Sequence, residues 1–534
     1  MRGTIRTTIG VLAPLVLLLG ATAVPAVAVP AGAVAAGTAT NGWRPPPLDW
    51  QPCPDRPDDA ALRCATLAVP VDWSRPRGAT FPLALAKRAA TGPGSRIGPL
   101  LVNPGGPGDS GVDAVVGRYE RYGSPEIRSR FDLIGFDPRG IARSNPIRCS
   151  GALLAERPFA VPANQSEYRA LVAYNHRLYD DCKANTGPLF DHVDSVNVAH
   201  DMDAIRAALG VRQISYYGAS YGTLMGQMYA ENYPNRVRAL VMDSTMDHSG
   251  GTGAFVRNES IGAENSFAQF VAGCGRDPSC ALHGQDVPGI FASLMRRADD
   301  GTLVDPVTGQ SLTWHDLSGR VLRTFYGPDW NGLADLLVAL SGSTPTPVGS
   351  ATRPAGTAAD ELVKFPLPVM CQDWALPVGG LAGFHRYVDL AREVSPNMRG
   401  SAPAIMALGV CLGWKGEVSN PQHRLRVRTE LPLLVVNSLH DPITPYEWAV
   451  GVADQLGRNG RLVTFEGPGH GVYPGTPCTT SYVDRYLVDR TLPPSGATCA
   501  APPTPARMGA DAERRDALPG LPGPVRPGWA AVVS

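Results

Sequence analysis

Gly218-Ala219-Ser220-Tyr221-Gly222, set between an apolar strand-like run and a helix-like run, constrains this chain more than any other stretch. The pattern Gly-x-Ser-x-Gly calls for a sharp strand-to-helix turn with the serine at its apex, and a β-carbon at either flanking glycine would crowd that turn. A serine hydroxyl is a poor nucleophile unless it is held in place, deprotonated as it attacks, and faced by donors for the developing oxyanion. The rest of the chain therefore has to supply a base, an acid and an oxyanion site.

The surroundings fit an α/β architecture. Short apolar runs predict strands at Leu67 to Val71, Phe81 to Lys87, Pro99 to Asn103, Phe131 to Phe136, Ile214 to Tyr217 and Val237 to Met242. Val198, Met202, Ile205 and Leu209 recur at helical spacing ahead of Gly210. Such alternation implies a mostly parallel sheet covered on both faces. It stops near Asp243 and returns at Leu433 to Val436 and Leu462 to Phe465. The reading is one α/β domain (46–244 and 429–500) carrying a large, mainly helical lid insertion (245–428), with helical pieces at Val321 to Phe325 and Leu333 to Leu340. A Ser/Thr/Pro/Gly-rich stretch, Ser341 to Thr357, interrupts the insertion, and the Pro-rich tail 501–534 lacks apolar periodicity and reads as disordered.

Candidates for each role follow from position. His470 lies in Gly467-Pro468-Gly469-His470-Gly471 after the last long strand, where flanking glycines let a loop present the imidazole as base; a surface loop histidine is the plainer reading. Asp441, 29 residues earlier, follows the Leu433 strand and is the candidate acid; it also reads as a turn-initiating Asp-Pro. Asp243, at the end of the strand after the nucleophile helix, is its rival. The order Ser220, Asp441, His470 matches that of α/β-hydrolases. Asn103-Pro104-Gly105-Gly106-Pro107-Gly108 is the oxyanion candidate, with Gly105 or Gly106 giving one backbone N–H and Tyr221 the other; Pro107 has none to give.

Residues 1–28 have the layout of a secretory signal peptide: Arg2 and Arg6, an apolar stretch from Ile9 to Ala23, and a small-x-small site at Ala26-Val27-Ala28 or Ala21-Thr22-Ala23. Residues 29–45 read as a flexible or removed pro-segment. Ten cysteines agree with an oxidising compartment, and pairing each with its nearest neighbour gives five local loops. There is no Cys-x-x-Cys and no cysteine cluster beside paired histidines, so the cysteines make a weak zinc site; no cofactor is expected. Net charge is zero with 18% charged residues, which offers no basic surface for nucleic acid or anionic lipid. No stable membrane association is expected.

From Cys64 to Cys499 the chain resembles secreted tripeptidyl aminopeptidases of the prolyl-aminopeptidase-like serine peptidase family. The resemblance rests on Val69-Pro70-Val71-Asp72-Trp73, the Asn103 to Gly108 run, Asp137-Pro138-Arg139-Gly140, the Ser220 motif, Cys371-Gln372-Asp373-Trp374, Cys411-Leu412-Gly413-Trp414, and the segment with Asp441 and His470. It implies a secreted serine exopeptidase that removes short peptides, tripeptides first among them, or single residues from free N-termini through an acyl-enzyme. Many relatives begin the oxyanion motif His-Gly-Gly-Pro-Gly, whereas Asn103-Pro104 stand here. Arg139 reads as a structural link beneath the site. A substrate ammonium needs a lid carboxylate; Asp373, Glu361, Glu259 and Glu264 are candidates. Asp373 is preferred because a Cys371–Cys411 disulfide would fix its segment, with Trp374 as a pocket wall or a core residue. A secreted esterase or lipase with the same triad, and a catalytically inactive binding protein on the same scaffold, are the alternatives.

Overall fold

Leu100, Leu101 and Val102, and likewise Leu433 to Val436, have no solvent exposure, as uninterrupted apolar runs require when a sheet is covered on both faces. The computed structural model describes residues 43–92, 94, 96–343, 361–429 and 432–502. The expected signal peptide, nearly all of the segment 29–45, most of the Ser341 to Thr357 stretch and the tail beyond Pro502 lie outside the described residues.

The strands in chain order are β1 (Gln51–Pro52), β2 (Leu62–Pro70), β3 (Thr80–Arg88), β4 (Gly98–Asn103), β5 (Phe131–Phe136), β6 (Arg148–Ser150), β7 (Ile214–Ala219), β8 (Val237–Asp243), β9 (Leu362–Lys364), β10 (Leu433–His440), β11 (Gly460–Pro468) and β12 (Ala497–Cys499). Ten of them form one sheet in the order β1-β2-β3-β5-β4-β7-β8-β10-β11-β12. From β5 to β12 all pairings are parallel, while β1, β2 and β3 join antiparallel at one edge. Ser220 leaves the carboxyl end of β7 in the middle of this sheet, and Asp441 and His470 follow the carboxyl ends of β10 and β11, so the order brings three distant stretches to one rim.

Between β8 and β10 run seven described helices, from Thr252–Arg276 to Ala402–Cys411, which cover that rim. The cover also recruits an earlier stretch that the sequence reading left with the core. Strand β6 pairs with β9, Cys149 bonds Cys182 on helix Gln165–Thr186, and Asn175 Nδ2 on that helix donates to the carbonyls of Gly409 and Leu412. All ten cysteines pair with their nearest neighbours in sequence: Cys53–Cys64, Cys149–Cys182, Cys274–Cys280, Cys371–Cys411 and Cys478–Cys499. A bridge closing a loop as long as the 40-residue separation of Cys371 and Cys411 restricts the unfolded chain by about 2–4 kcal/mol.

Arg139 is fully buried under the rim. Its guanidinium makes two bonds to Asp201, at 2.6 and 2.7 Å, and others to the carbonyls of Pro70, Val71 and His192. With every donor direction matched, the charge is tolerable inside the protein and ties the β2–β3 edge to helix Ser195–Ala208. Among the described residues no helix is long and apolar enough to cross a membrane.

Candidate active site

Ser220 sits at φ 54°, ψ −125°, a backbone conformation that costs an ordinary residue energy and persists only when its surroundings force it. Its N–H is held by the carbonyl of Asp243 at 2.9 Å. The flanking glycines are sterically required: a β-carbon on Gly218 would lie 2.5 Å from the carbonyl oxygen of Gly222, and one on Gly222 would lie 2.7 Å from that of Asn103. Helix Tyr221–Asn232 begins at once, so the N–H of Tyr221 is among those with no partner one turn back.

The glycines after β4 come close to this turn. A β-carbon on Gly105 would stand 2.8 Å from the Tyr221 nitrogen. Both Gly105 (φ 103°) and Gly106 (φ 105°) occupy positive-φ positions that favour glycine. They differ as donors. The N–H of Gly105 is spent on the side-chain oxygen of Asn103 at 2.9 Å, which removes Gly105 as an oxyanion donor. The N–H of Gly106 has no acceptor among the described residues, and Gly106 lines the same cavity as Ser220 and Tyr221. The Asn103 side chain thus shapes the loop without taking a donor from Gly106.

His470 Nδ1 lies 3.0 Å from each carboxylate oxygen of Asp441. Thr444 Oγ1 stands 3.2 Å from the same nitrogen. Oδ1 of Asp441 also accepts the N–H groups of Ile443 and Thr444, so the aspartate starts a turn and faces the histidine at once. The histidine loop is fixed from behind. Its N–H bonds the carbonyl of Tyr326 at 2.9 Å, and the Tyr326 ring meets the imidazole edge-on at 4.9 Å between centroids. Burial lowers the affinity of His470 for a proton, but the adjacent Asp441 charge and hydrogen bond, with Asp243 and Asp109 further off, outweigh it and raise the pKa above 6.5.

Asp243 does not face the imidazole. It accepts from the Tyr217 hydroxyl and from the N–H groups of Val472 and Tyr473, anchoring the chain just past His470. Burial pushes its pKa up to about 6 despite those bonds.

The lid residues separate sharply. Asp373 is buried and saturated: Ser195 N–H and Asn420 Nδ2 bond one oxygen, Ser195 Oγ and the Tyr221 hydroxyl the other, at 2.6–2.9 Å. It does not line the Ser220 cavity. The expectation that Asp373 receives a substrate ammonium therefore fails; it braces the residue next to the nucleophile instead. Trp374 is also outside the cavity, 1% exposed and packed on Phe255 and His248, which makes it a core residue and not a pocket wall. Glu264 is held by Ser395, Asn397 and Met398, and Glu361 is exposed. Glu259 alone of the four lines the cavity. Its Oε2 accepts from Ser401 Oγ at 2.8 Å, and Oε1 has no protein partner among the described residues. Burial drives its pKa up to about 8, opposed by the Ser401 bond and reinforced by Asp441.

A serine on a strained turn, a histidine with a buried carboxylate on its far nitrogen, and two free backbone donors form the set that acyl transfer requires. Residues 98–299 match the family described as alpha/beta hydrolase fold, and residues 398–499 match the family described as TAP-like protein. The chain is 34% identical over 489 residues to the serine protease Hip1 of Mycobacterium tuberculosis, covering 85% of this chain and 91% of that one. This protein is an α/β-hydrolase of the serine peptidase family. Other similar α/β-hydrolases are carboxylesterase B of M. tuberculosis, 31% identical over 85% of this chain and 90% of that one, and tripeptidyl aminopeptidase of Streptomyces lividans, 28% identical over 86% and 87%.

Two residues at the site escape sequence inspection, and one is named without being preferred. Thr444 is marked only by the turn that Asp441 begins. Tyr326 carries no local signature, because it reaches the site from a turn between two helices of the insertion. Glu259 is one of four lid carboxylates that sequence alone does not separate.

Proposed function

We propose that this α/β-hydrolase is an exported aminopeptidase that cleaves peptides from a free N-terminus through an acyl-enzyme. Ser220 Oγ attacks the scissile carbonyl carbon while His470 Nε2 takes its proton. The N–H groups of Tyr221 and Gly106 hold the oxyanion, and Asp441 keeps the imidazole in the required tautomer and balances its charge. As the C–N bond breaks, His470 returns the proton to the leaving amine. Water, deprotonated by the same imidazole, then frees the acyl group and restores the serine.

One observation carries the exopeptidase reading: Glu259, a buried carboxylate with an uncommitted oxygen, lines the cavity that contains Ser220. A buried carboxyl without a full set of partners is costly to ionise, and an ammonium group supplies both the charge and the donors it lacks. The domain reading, a hydrolase core under a helical lid, puts recognition in the lid and chemistry in the core. Export draws support from the layout of residues 1–28 and from five disulfides.

The deciding measurement compares a free-amine peptide anilide, its N-acetylated form and a simple aryl ester. Acetylation is expected to lower kcat/KM by about 100-fold or more, because it leaves Glu259 unpaired. Glu259→Gln is expected to erase most of that difference, chiefly through KM. Equal turnover of blocked and free peptides would end the aminopeptidase reading, and faster turnover of the ester alone would favour the esterase alternative suggested by the relative named carboxylesterase B. The mature N-terminus, read by mass spectrometry on protein recovered from the medium, tests export.

A further inference from the structure

The cavity beside Ser220 is small and chemically one-sided. It leaves about 60 Å³ for the centres of water molecules, and its outer part opens to solvent. A buried water needs about 10–15 Å³, so the enclosed part holds only a handful of them. Met246, Met370, Met406, Val410 and Ile443, with Leu367 beside them, form its apolar wall. Of its polar side chains, Thr444 is engaged with His470 Nδ1 and the Tyr221 hydroxyl with Asp373. Glu259, the Tyr326 hydroxyl, Ser220 and the oxyanion donors are what the cavity still offers a ligand.

Glu259 also stands close to the chemistry. One turn further along its helix, a β-carbon on Gly262 would lie 2.9 Å from the carbonyl oxygen of Asp441. The helix therefore rests directly on the loop of the candidate acid, and residues three apart share a face. Glu259 and Ser220 line one cavity, so the ammonium and the attacked carbonyl of a bound substrate both have a partner within it.

We propose that the cavity holds a single N-terminal residue with an apolar side chain of leucine or methionine size, so that the enzyme releases free amino acids one at a time. This rests on the aminopeptidase reading. One bound residue brings two polar groups inward, its ammonium and its scissile carbonyl, and each has a partner in Glu259 and the oxyanion donors. A tripeptide acyl group would bring two more peptide units against methionine, valine and isoleucine, with donors and acceptors that these side chains do not answer. The methionines, flexible and polarisable, fill around unbranched and branched chains alike. The remainder of the peptide extends through the open mouth.

The test incubates the full-length protein with free-amine hexapeptides that differ only in the first residue and follows product masses with time. Stepwise loss of one residue is expected, with Leu and Met at least about ten-fold ahead of Gly and Trp in kcat/KM. Release of intact tripeptides would overturn the proposal and leave the aminopeptidase reading standing. Cleavage of N-acetylated hexapeptides at undiminished rate would end both. Met406→Ala is expected to shift preference toward Phe and Trp by about ten-fold, with labelling of Ser220 by a fluorophosphonate as the check on folding; Met370→Ala serves if that variant does not label. An unchanged ranking in a labelled variant would remove the methionine wall as the source of specificity.

Discussion

At the rim of the sheet Asp441 gives its carboxylate to His470 and to its own turn, whereas in the helical cover Asp373 and Glu259 are both buried and have opposite fates. Asp373 receives four hydrogen bonds and Glu259 one. Burial raises both, to about 7 and about 8, so a shifted pKa does not tell them apart. Their partners do. A saturated carboxylate is a brace, and a carboxylate with an open oxygen in a cavity is a place for a ligand. On the proposed reading the rim performs the acyl chemistry and the cover selects the group that arrives.

Substitutions at the rim test the first half of that contrast and have the largest effects. Ser220→Ala is expected to lower kcat by at least about 10⁴-fold on peptide anilides, with the fold retained by circular dichroism. Turnover near the parent rate would remove Ser220 as nucleophile. Asp441→Asn is expected to cost about 10³–10⁴-fold in kcat, since the imidazole loses its orienting acceptor. Asp243→Asn should cost far less in kcat and more in thermal stability, because its bonds run to the Val472 and Tyr473 backbone. The reverse ranking would exchange their roles.

In the cover, Asp373→Asn forces an amide donor toward groups that already donate and is expected to destabilise the fold by about 1–3 kcal/mol in denaturant titration. A variant with native stability and a raised KM for free amines would return Asp373 to substrate binding. Smaller effects come from pH. His470 must be neutral to accept a proton, so kcat/KM should rise with pH through a value above 6.5. Glu259 must be ionised to hold an ammonium, which adds a second rise toward about 8 that Glu259→Gln removes. The same shift has a stability sign. The folded-state pKa of Glu259 lies above its ordinary 4.5, so its contribution is intact below that value and is lost as pH rises toward about 8. Glu259→Gln should therefore gain stability relative to the parent between pH 5 and 8 and match it near pH 4; a constant difference across that range would contradict this account.

Much of the fold was legible in runs of apolar residues. Strands β4, β5, β7, β8, β10 and β11 fall where the sequence predicts them, often a residue or more longer, because buried parallel strands need unbroken apolar stretches. The helices at Trp314–Thr324 and Trp330–Gly342 extend well beyond their predicted apolar cores, since their polar faces and caps add turns that a hydrophobic run does not mark. The contribution of 148–186 to the cover was not visible, because β6 is three residues long and its partner β9 lies far along the chain.

The sequence by itself determined the serine turn, the glycine-flanked histidine and the order of the three candidate residues. These depend on backbone sterics and chain proximity, which act over a few residues and leave local marks. Only the tertiary structure decided that Asn103 occupies the N–H of Gly105, that Asp441 rather than Asp243 meets His470, and that Glu259 rather than Asp373 reaches the cavity. Each of those outcomes depends on whether a polar group finds its partners, and partners are chosen by packing between segments that the chain keeps far apart.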